Sequence, residues 1–225
     1  MSSGFKKKAP CNSDARTGAS REDLDVLSCR QQSMGYSTEH KEETRGRIVR
    51  AAARRFRSRG SEAAIGELMR DLRLTHGGFY SHFESKEALF AEAFEQSLKE
   101  LWDRLTKAIE QAGRGGELKA LIDAYLDVDH LNDVAGGCPV AALASEVARR
   151  PPGARGPFLR VLRAHIGRMK QYIPGENAER RRAKAISLST GMASTLTVAR
   201  AFTEAQDRRA ILDGAKKFYL AAAQR

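Results

Sequence analysis

Several kinds of sequence signal are scarce in this chain of 225 residues, and each scarcity excludes a class of protein. The three cysteines, Cys11, Cys29 and Cys138, are irregularly spaced and form no CxxC pair, which argues against a disulfide framework or a zinc ribbon. No apolar run approaches 18 residues, so the sequence predicts no membrane span. No apolar stretch follows the basic start of the chain, so we expect a cytoplasmic protein with reduced thiols.

The short motifs that mark common enzyme families are also missing. HExxH, GxSxG, GxxxxGK[ST] and GxGxxG do not occur. His130 with Asp127 and Asp129 would offer metal-binding groups, but on a helix these side chains do not share one face. We therefore expect no catalytic residue, no metal and no cofactor, and we expect the protein not to be an enzyme.

Positive charge is abundant and unevenly distributed. The chain has 39 Lys and Arg against 28 Asp and Glu, a net charge of +11, which favours an anionic partner such as nucleic acid. Residues 1–43 carry no net charge, residues 44–90 carry +5 and residues 91–225 carry +6. The last segment is nearly three times as long as the second, so the charge is densest in residues 44–90.

The first 43 residues differ in composition from the rest. They are rich in Ser, Asn, Gln, Gly and charge, with one short apolar patch at 24–27, and this composition predicts a mostly disordered extension. Met34 lies shortly before the periodic part of the sequence. The extension could therefore also lie upstream of a core that starts at Met34, and the sequence leaves both possibilities open.

Helical periodicity dominates from Thr44 onward, and no β-type alternation persists, which predicts an all-α fold. Ile48, Ala52 and Phe56 recur four residues apart and predict a first helix from about Thr44 to Arg59. A short helix is predicted at about 65–73, and a long helix follows Ser85 with an apolar stripe from Phe90 to Ile109. Further helices are predicted at about 118–131, 139–149, 158–172, 178–205 and 207–223.

Another short helix is predicted between the helix at 65–73 and the long helix after Ser85, and Thr75 is suited to cap its start. Phe79 and Phe83 lie four residues apart and would anchor it to the core. The residues left free to point elsewhere are His76, Gly78, Tyr80, Ser81 and His82. Two short helices joined by a tight turn describe a helix-turn-helix, whose second helix enters the major groove of DNA. The alternative is a helical core segment with incidental polar residues.

The residues from Leu74 to Leu89, LTHGGFYSHFESKEAL, contain a Tyr, one residue, His-Phe, a short gap, Lys-Glu and Leu. With the apolar positions of the two preceding helices, this pattern over about residues 44–92 closely resembles the TetR/AcrR family of bacterial regulators. The rest of the chain is similar to the family in its length and helical pattern.

The resemblance implies a three-helix helix-turn-helix DNA-binding domain at 44–92 and a helical ligand-binding and dimerisation domain at 93–225. It implies a homodimeric transcriptional repressor that binds a palindromic double-stranded DNA operator and is released by a small-molecule inducer. The alternatives are an activator, or an electrophile or oxidant sensor acting through Cys138. Outside the family, the alternative is a helical interaction protein whose DNA motif is vestigial.

The resemblance assigns the recognition helix to Thr75–His82 and phosphate contacts to Tyr80, His82 and Lys86. The small residues at the start of this helix would let the backbone approach the bases closely. The full set of DNA-binding residues also includes the start of the first helix and the turn before the recognition helix. The set comprises Thr44, Arg45, Arg73, Thr75, His76, Gly77, Gly78, Tyr80, Ser81, His82 and Lys86.

One position departs from the family pattern. Arg73 occupies the turn position where the family usually carries a glycine. A non-glycine residue with a positive φ there costs roughly 1 kcal/mol. We therefore expect either a slightly remodelled turn or an Arg73 side chain that reaches DNA.

In the second domain the resemblance assigns dimerisation, and the residues themselves suggest a reactive thiol and candidate ligand contacts. The predicted helix at 178–205 is rich in small residues, and in the family the last two helices form a four-helix dimer interface; the alternative is ordinary packing within one chain. Cys138 precedes Pro139 at a helix start, where the helix dipole would lower a thiol pKa; the alternative is a small buried residue. Candidate ligand contacts, each also suited to the core, are Trp102, Tyr125, His130, Cys138, Phe158, His165 and Met192.

Overall fold

The structure is a computed structural model that describes residues 21–175 and 177–224, with side chains from Thr38 onward. Within these ranges the chain is helical and contains no strand, which confirms the all-α prediction. The α-helices are α1 (Arg21–Arg59), α2 (Ile65–Asp71), α3 (Lys86–Ala112), α4 (Glu117–Tyr125), α5 (Val128–Asn132), α6 (Pro139–Arg149), α7 (Gly156–Met169), α8 (Ala178–Ala199) and α9 (Ala205–Gln224). Short 3₁₀ helices occur at Gly77–Ser81, Pro152–Arg155 and Lys170–Tyr172.

Helix α1 begins at Arg21 and not at the predicted Thr44. Residues 21–43 are therefore helical, against the expectation of disorder, whereas residues 1–20 lie outside the described residues. No proline occurs between Arg21 and Arg59, and extending an existing helix by one residue costs far less than nucleating it. The chain divides into two compact units between Glu43 and Thr44, inside this helix.

In the second unit, the predicted stripe of α1 forms the core of a three-helix head. Ile48, Ala52 and Phe56 are at most 1% exposed. The Phe56 ring meets the Phe90 ring of α3 edge to face, with centroids 5.1 Å apart. The stripe therefore fastens α1 to the beginning of α3.

Helix α3 continues from the head into a larger helical body. Its predicted apolar stripe from Phe90 to Ile109 is buried, and it packs against α4 and α7. In the body, α8 packs against α9, α7 and α6. One rigid helix thus belongs to both the head and the body.

The predicted helix at 118–131 is divided into α4 and α5. The side chain of Asp127 accepts a hydrogen bond from the Asp129 N–H at 2.8 Å and so caps a new helix. The apolar periodicity continues across this break, which is why periodicity alone predicted one helix. The last two helices also differ from their predicted bounds, since α8 ends at Ala199 and α9 begins at Ala205.

Candidate nucleic-acid interface

The turn after α2 is a left-handed helix cap built on Arg73. The Arg73 N–H donates to the Arg70 carbonyl at 2.9 Å, and the Leu74 N–H donates to the Met69 carbonyl at 2.8 Å. This pair of bonds is a Schellman motif, which needs a residue with positive φ. Arg73 has φ 59°, and among the described residues no other non-glycine residue has a positive φ. The turn keeps its standard geometry, and the exposed Arg73 bears the backbone strain.

The predicted recognition helix is a 3₁₀ helix over Gly77–Ser81, shorter and tighter than the expected α-helix at 75–82. Its backbone bonds run three residues back, from Gly78 to Thr75 and from Phe79 to His76. Two consecutive glycines disfavour an α-helix, which explains the difference. The Thr75 side chain accepts a hydrogen bond from the Gly78 N–H at 3.2 Å, which is the bond that a capping residue makes.

Two phenylalanines hold this segment against the head. Phe79 and Phe83 are 2% and 3% exposed, and their rings stack with centroids 5.6 Å apart. The residues around them point outward, with Tyr80 66% exposed. A Cβ added to Gly77 would meet no heavy atom within 4 Å. The exposed side of this segment therefore has no bulky side chain at Gly77 and is flanked by the tyrosine hydroxyl of Tyr80.

The structure places most of the predicted contact residues on this outward side. Lys86 lies in the first turn of α3, which Ser85 caps by accepting from the Ala88 N–H at 3.1 Å. No described residue forms an ion pair with Lys86. His82 is partly buried, and the Ser81 hydroxyl donates to the Gly78 carbonyl at 2.7 Å. Exposed members of the set are Arg73, Thr75, His76, Gly77, Tyr80 and Ser81.

Thr44 and Arg45 do not lie at a helix start, contrary to the prediction. Both are inside α1, so their N–H groups belong to the helix interior and not to a free terminus. Thr44 is 7% exposed. The Arg45 guanidinium pairs with Glu92 at 2.5 Å and lies over the Phe83 ring at 4.7 Å. Thr44 is therefore buried in the head, and Arg45 is held there by its contacts with Glu92 and Phe83.

The seven candidate ligand contacts are all buried and form separate groups. In one group, Trp102 of α3 donates its indole N–H to Nδ1 of His165 in α7 at 3.0 Å. This bond requires His165 to be neutral with its proton on Nε2. Burial, helped by the charge of Arg168, lowers the pKa of His165 to about 4. Phe158 lies apart, against Phe90 and Phe94.

A second group joins α4, α5 and α6. Nδ1 of His130 lies 2.6 Å from the Tyr125 carbonyl, and Nε2 accepts from the Cys138 N–H at 2.9 Å. These partners define a neutral imidazole that donates from Nδ1. Burial lowers its pKa to about 4, although the bond to Tyr125 acts in the opposite direction. Met192 is buried in α8. Within the described residues, no cluster of three His, Cys, Asp or Glu side chains could hold a metal ion.

Both parts of the chain match models of known protein families. Residues 48–93 match the model of bacterial regulatory proteins of the tetR family, and residues 115–224 match that of the tetracyclin repressor-like C-terminal domain. The chain belongs to the TetR family. It is therefore a transcriptional regulator with a helix-turn-helix DNA-binding domain.

Individual relatives agree with this assignment. The A-factor receptor protein of Streptomyces griseus is 40% identical over 77 residues, which are 34% of this chain and 25% of that protein. The uncharacterized HTH-type transcriptional regulator YdgC of Bacillus subtilis (strain 168) is 43% identical over 51 residues, 22% of this chain and 26% of that protein. The matches thus span about a quarter of the length of these curated relatives.

A solved structure extends the likeness to the whole fold. A TetR transcriptional regulator from Chloroflexus aurantiacus J-10-FL superposes with a TM-score of 0.63, covering 80% of this chain and 96% of that chain. The two sequences are 24% identical, so this likeness concerns the fold. Within the described ranges, none of the helices of this TetR-family chain is long and apolar enough to cross a bilayer.

One surface cavity lies away from the predicted ligand contacts. It has a volume of about 700 Å³ and lies between the start of α4, the segment after α7 and the end of α9. Its walls include Leu118, Tyr172, Pro174 and Leu220, together with the amides of polar side chains such as Gln171. Sequence reasoning missed this space because its walls come together only through the packing of three distant segments.

Replacing Arg73 by glycine is expected to raise the free energy of unfolding by about 1 kcal/mol, because glycine adopts positive φ without strain. The measurement is urea unfolding of both proteins. Arg73→Ala is the matched control, since it removes the side chain and keeps the strain. If Arg73 also contacts DNA, both variants lose affinity to the same extent. If the glycine variant is no more stable than the alanine variant, the positive φ at position 73 does not cost free energy.

The Cys138 thiol is expected to be unreactive in the folded protein. Cys138 is fully buried, and burial raises its pKa despite its hydrogen bond with Tyr125 and the nearby amides of α6. The amides at the start of α6 do act to lower this pKa, but desolvation is the larger effect, so the pKa is raised overall and the alternative of a small buried residue describes Cys138 better.

The measurement is labelling with Ellman's reagent in a Cys11→Ser, Cys29→Ser background. We expect native labelling to be slower than labelling in guanidinium by at least about a hundredfold. Comparable labelling rates in the native protein and in guanidinium would show that the thiol is accessible and would support a sensing role for Cys138.

Proposed function

We propose that this TetR-family protein is a repressor that binds a palindromic operator as a homodimer and is released by a small-molecule inducer. The observation that carries the proposal is the exposed surface around the 3₁₀ segment Gly77–Ser81, held to the head by Phe79 and Phe83. We infer that the protein acts by binding DNA and not as an enzyme. The proposed domains are 44–92 for DNA binding and 93–225 for ligand binding and dimerisation.

In this proposal, phosphate contacts and base contacts come from different residues. The Tyr80 hydroxyl and the Lys86 ammonium donate to phosphate oxygens on either side of the inserted segment. Thr75 and His76 are exposed at the start of the segment and carry groups that can hydrogen-bond base edges. The low bulk at Gly77 supports close approach to the groove.

Exposed apolar residues on the last two helices support dimerisation. Ile186 and Val198 of α8, Phe202 just after it, and Phe218 of α9 are 37% to 68% exposed. Small residues between them on α8 allow a partner helix to approach closely. Such a surface on a folded domain marks an interaction site. We propose that a second copy covers it with the same helices, as a two-fold interface requires.

The cavity at the end of the body is where we propose that the inducer binds. Its volume suits a small organic molecule, and its walls combine apolar side chains with a few hydrogen-bonding groups. Release follows if the molecule binds more tightly to a state in which the two recognition segments no longer match the operator. One relative is named as a receptor, which agrees with a ligand-responsive regulator.

Tyr80→Ala and Lys86→Ala are expected to weaken binding to all DNA sequences, because both residues contact phosphate. Loss of the Lys86 charge should lower the slope of log affinity against log salt by about one, whereas loss of the uncharged Tyr80 hydroxyl should lower the affinity with little change in slope. The measurement is fluorescence anisotropy with the protein's own promoter fragment at several salt concentrations. An unchanged affinity and salt slope for either variant would reject the proposed docking at that residue.

Matched controls separate these contacts from general effects. Tyr80→Phe removes only the hydroxyl and should reproduce most of the Tyr80→Ala loss. Lys107→Ala removes an exposed lysine farther along α3 and should leave DNA binding unchanged. A footprint covering two half-sites about one helical turn apart supports the dimer. Absence of any footprint favours a helical interaction protein with a vestigial DNA motif, and transcription that rises on binding favours an activator.

A further inference from the structure

The last two residues of α5 and the turn that follows them, residues 131–138 and called the turn below, are joined directly to the DNA-binding head. Arg57 of α1 donates its Nε–H to the Ala135 carbonyl at 2.5 Å. The same guanidinium donates from Nη2 to Glu100 of α3 at 2.9 Å. The Arg57 side chain is fully buried. The end of α1 is thus fixed to this turn by a charge-assisted hydrogen bond in a place shielded from water.

The same turn is joined to the two helices that carry the proposed dimer surface. Arg200, directly after α8, donates to the Leu131 carbonyl at 3.0 Å and to the His130 carbonyl at 3.2 Å. Arg208 of α9 donates to the side-chain oxygen of Asn132 at 2.8 Å. Arg57 of the head and Arg200 and Arg208 of the body therefore all bond to residues between His130 and Ala135.

The turn is also rigid in itself. The Gly136 N–H donates to Asp133 Oδ1 at 2.8 Å, and the Cys138 N–H donates to His130 at 2.9 Å. A Cβ on Gly137 would lie 2.7 Å from the Asp133 carbonyl oxygen and 2.9 Å from Nη2 of Arg200. Only glycine fits at that position. The backbone of this turn is therefore held both by its own hydrogen bonds and by close packing against Arg200 at Gly137.

We infer that residues 131–138, with Arg57 and Arg200 as positioning residues, set the angle between the DNA-binding head and the dimer helices. This inference rests on the proposed dimeric repressor and adds to it what determines the spacing of the two operator half-sites. Adding one base pair between the two half-sites rotates one half-site relative to the other by roughly a tenth of a turn about the DNA axis. A head held rigidly to the dimer helices cannot follow that rotation, so the protein discriminates between spacings.

The test measures affinity for operators in which one or two base pairs are added to or removed from the centre of the wild-type footprint. We expect the wild-type protein to lose about tenfold in affinity for a change of one base pair. Arg57→Met and Arg200→Met should flatten this dependence to roughly threefold or less, because the head is then free to rotate. Replacing a residue whose role is only structural would change stability and leave the preference for half-site spacing unaltered.

Arg168→Met is the matched control. Arg168 also bridges two body helices, since it donates to the Thr106 hydroxyl at 2.8 Å and lies over the Trp102 ring, but it does not contact the turn. The Arg168→Met variant should show the same preference for half-site spacing as the wild-type protein. Arg200→Lys, which keeps the charge and loses the two-pronged contact, provides a milder variant if Arg57→Met does not fold by circular dichroism.

The outcomes separate the inference from the proposed function. A wild-type protein that protects no paired half-sites overturns the dimeric repressor and the inference with it. A sharp wild-type preference that folded Arg57 and Arg200 variants retain overturns the inference alone. A control that loses the preference as readily as the two variants also overturns it, because spacing is then not set at this turn.

Discussion

Replacing Glu100 by glutamine is expected to lower the free energy of unfolding by about 2 kcal/mol, because it leaves a buried guanidinium without its counter-charge, although the Glu100 side chain itself is 31% exposed. The Arg57 side chain is fully buried, and its Nη1 has no hydrogen-bond partner among the described residues. Burial lowers the pKa of Arg57, and the hydrogen bond and charge of Glu100 oppose that effect. Glutamine keeps the shape and a hydrogen-bond acceptor, so the variant isolates the charge. Urea unfolding at neutral pH measures the loss.

A second ion pair between the same two helices provides a matched control. Arg45 of α1 pairs with Glu92 of α3, but the two side chains are 40% and 35% exposed. Water can therefore replace the lost partner, and Glu92→Gln should cost at most about 1 kcal/mol. Equal losses for Glu92→Gln and Glu100→Gln would show that burial does not decide the strength of these pairs.

The double variant Arg57→Met, Glu100→Gln tests the cause of the loss. Removing both charges eliminates the desolvated cation, and replacement of a buried pair by apolar groups is often nearly neutral. We expect this variant to be more stable than Glu100→Gln alone. A double variant less stable than either single variant would place the main contribution in the bond from Arg57 to the Ala135 carbonyl.

Sequence periodicity predicted the parts of the fold that depend on neighbouring positions. Phe79 and Phe83, four residues apart, are buried anchors, and the stripe of α3 from Phe90 to Ile109 is core. The family pattern marked Arg73 as a position that usually carries glycine, and Arg73 indeed has φ 59°, but the remodelled turn that we offered as one alternative does not occur. These features depend on local geometry, which spacing in the sequence reports directly.

Features that depend on distant partners could not be predicted. The carbonyl that holds Arg57 lies 78 residues away in the sequence, so nothing near Arg57 indicates that it is buried. Four of the residues suggested as ligand contacts form hydrogen bonds with one another. The Trp102 indole bonds to His165, and His130 accepts from the Cys138 N–H. Residue type identified these side chains as unusual, but only packing shows that they form the core and that the cavity lies elsewhere.

Those same histidines are expected to make the folded state sensitive to mild acid. Burial lowers the pKa of both His130 and His165 to about 4 in the folded protein, whereas an unfolded histidine titrates near 6.5. The unfolded chain therefore binds protons first as the pH falls. The contribution of each histidine is complete above about pH 6.5 and is lost between there and pH 4, amounting to about 3 kcal/mol per histidine.

The measurement is the free energy of unfolding in urea at several pH values between 7 and 4, followed by the fluorescence of Trp102, the one tryptophan in the chain. His165→Asn is the decisive variant, because the asparagine oxygen can accept the Trp102 N–H at the position of Nδ1 but cannot take up a proton. Protonation of carboxylates also destabilises the fold in acid, and this contribution is common to both proteins. The variant should lose about 3 kcal/mol less than the wild-type protein over this range. Parallel curves would mean that His165 is protonated in the folded state, with its bond to Trp102 broken.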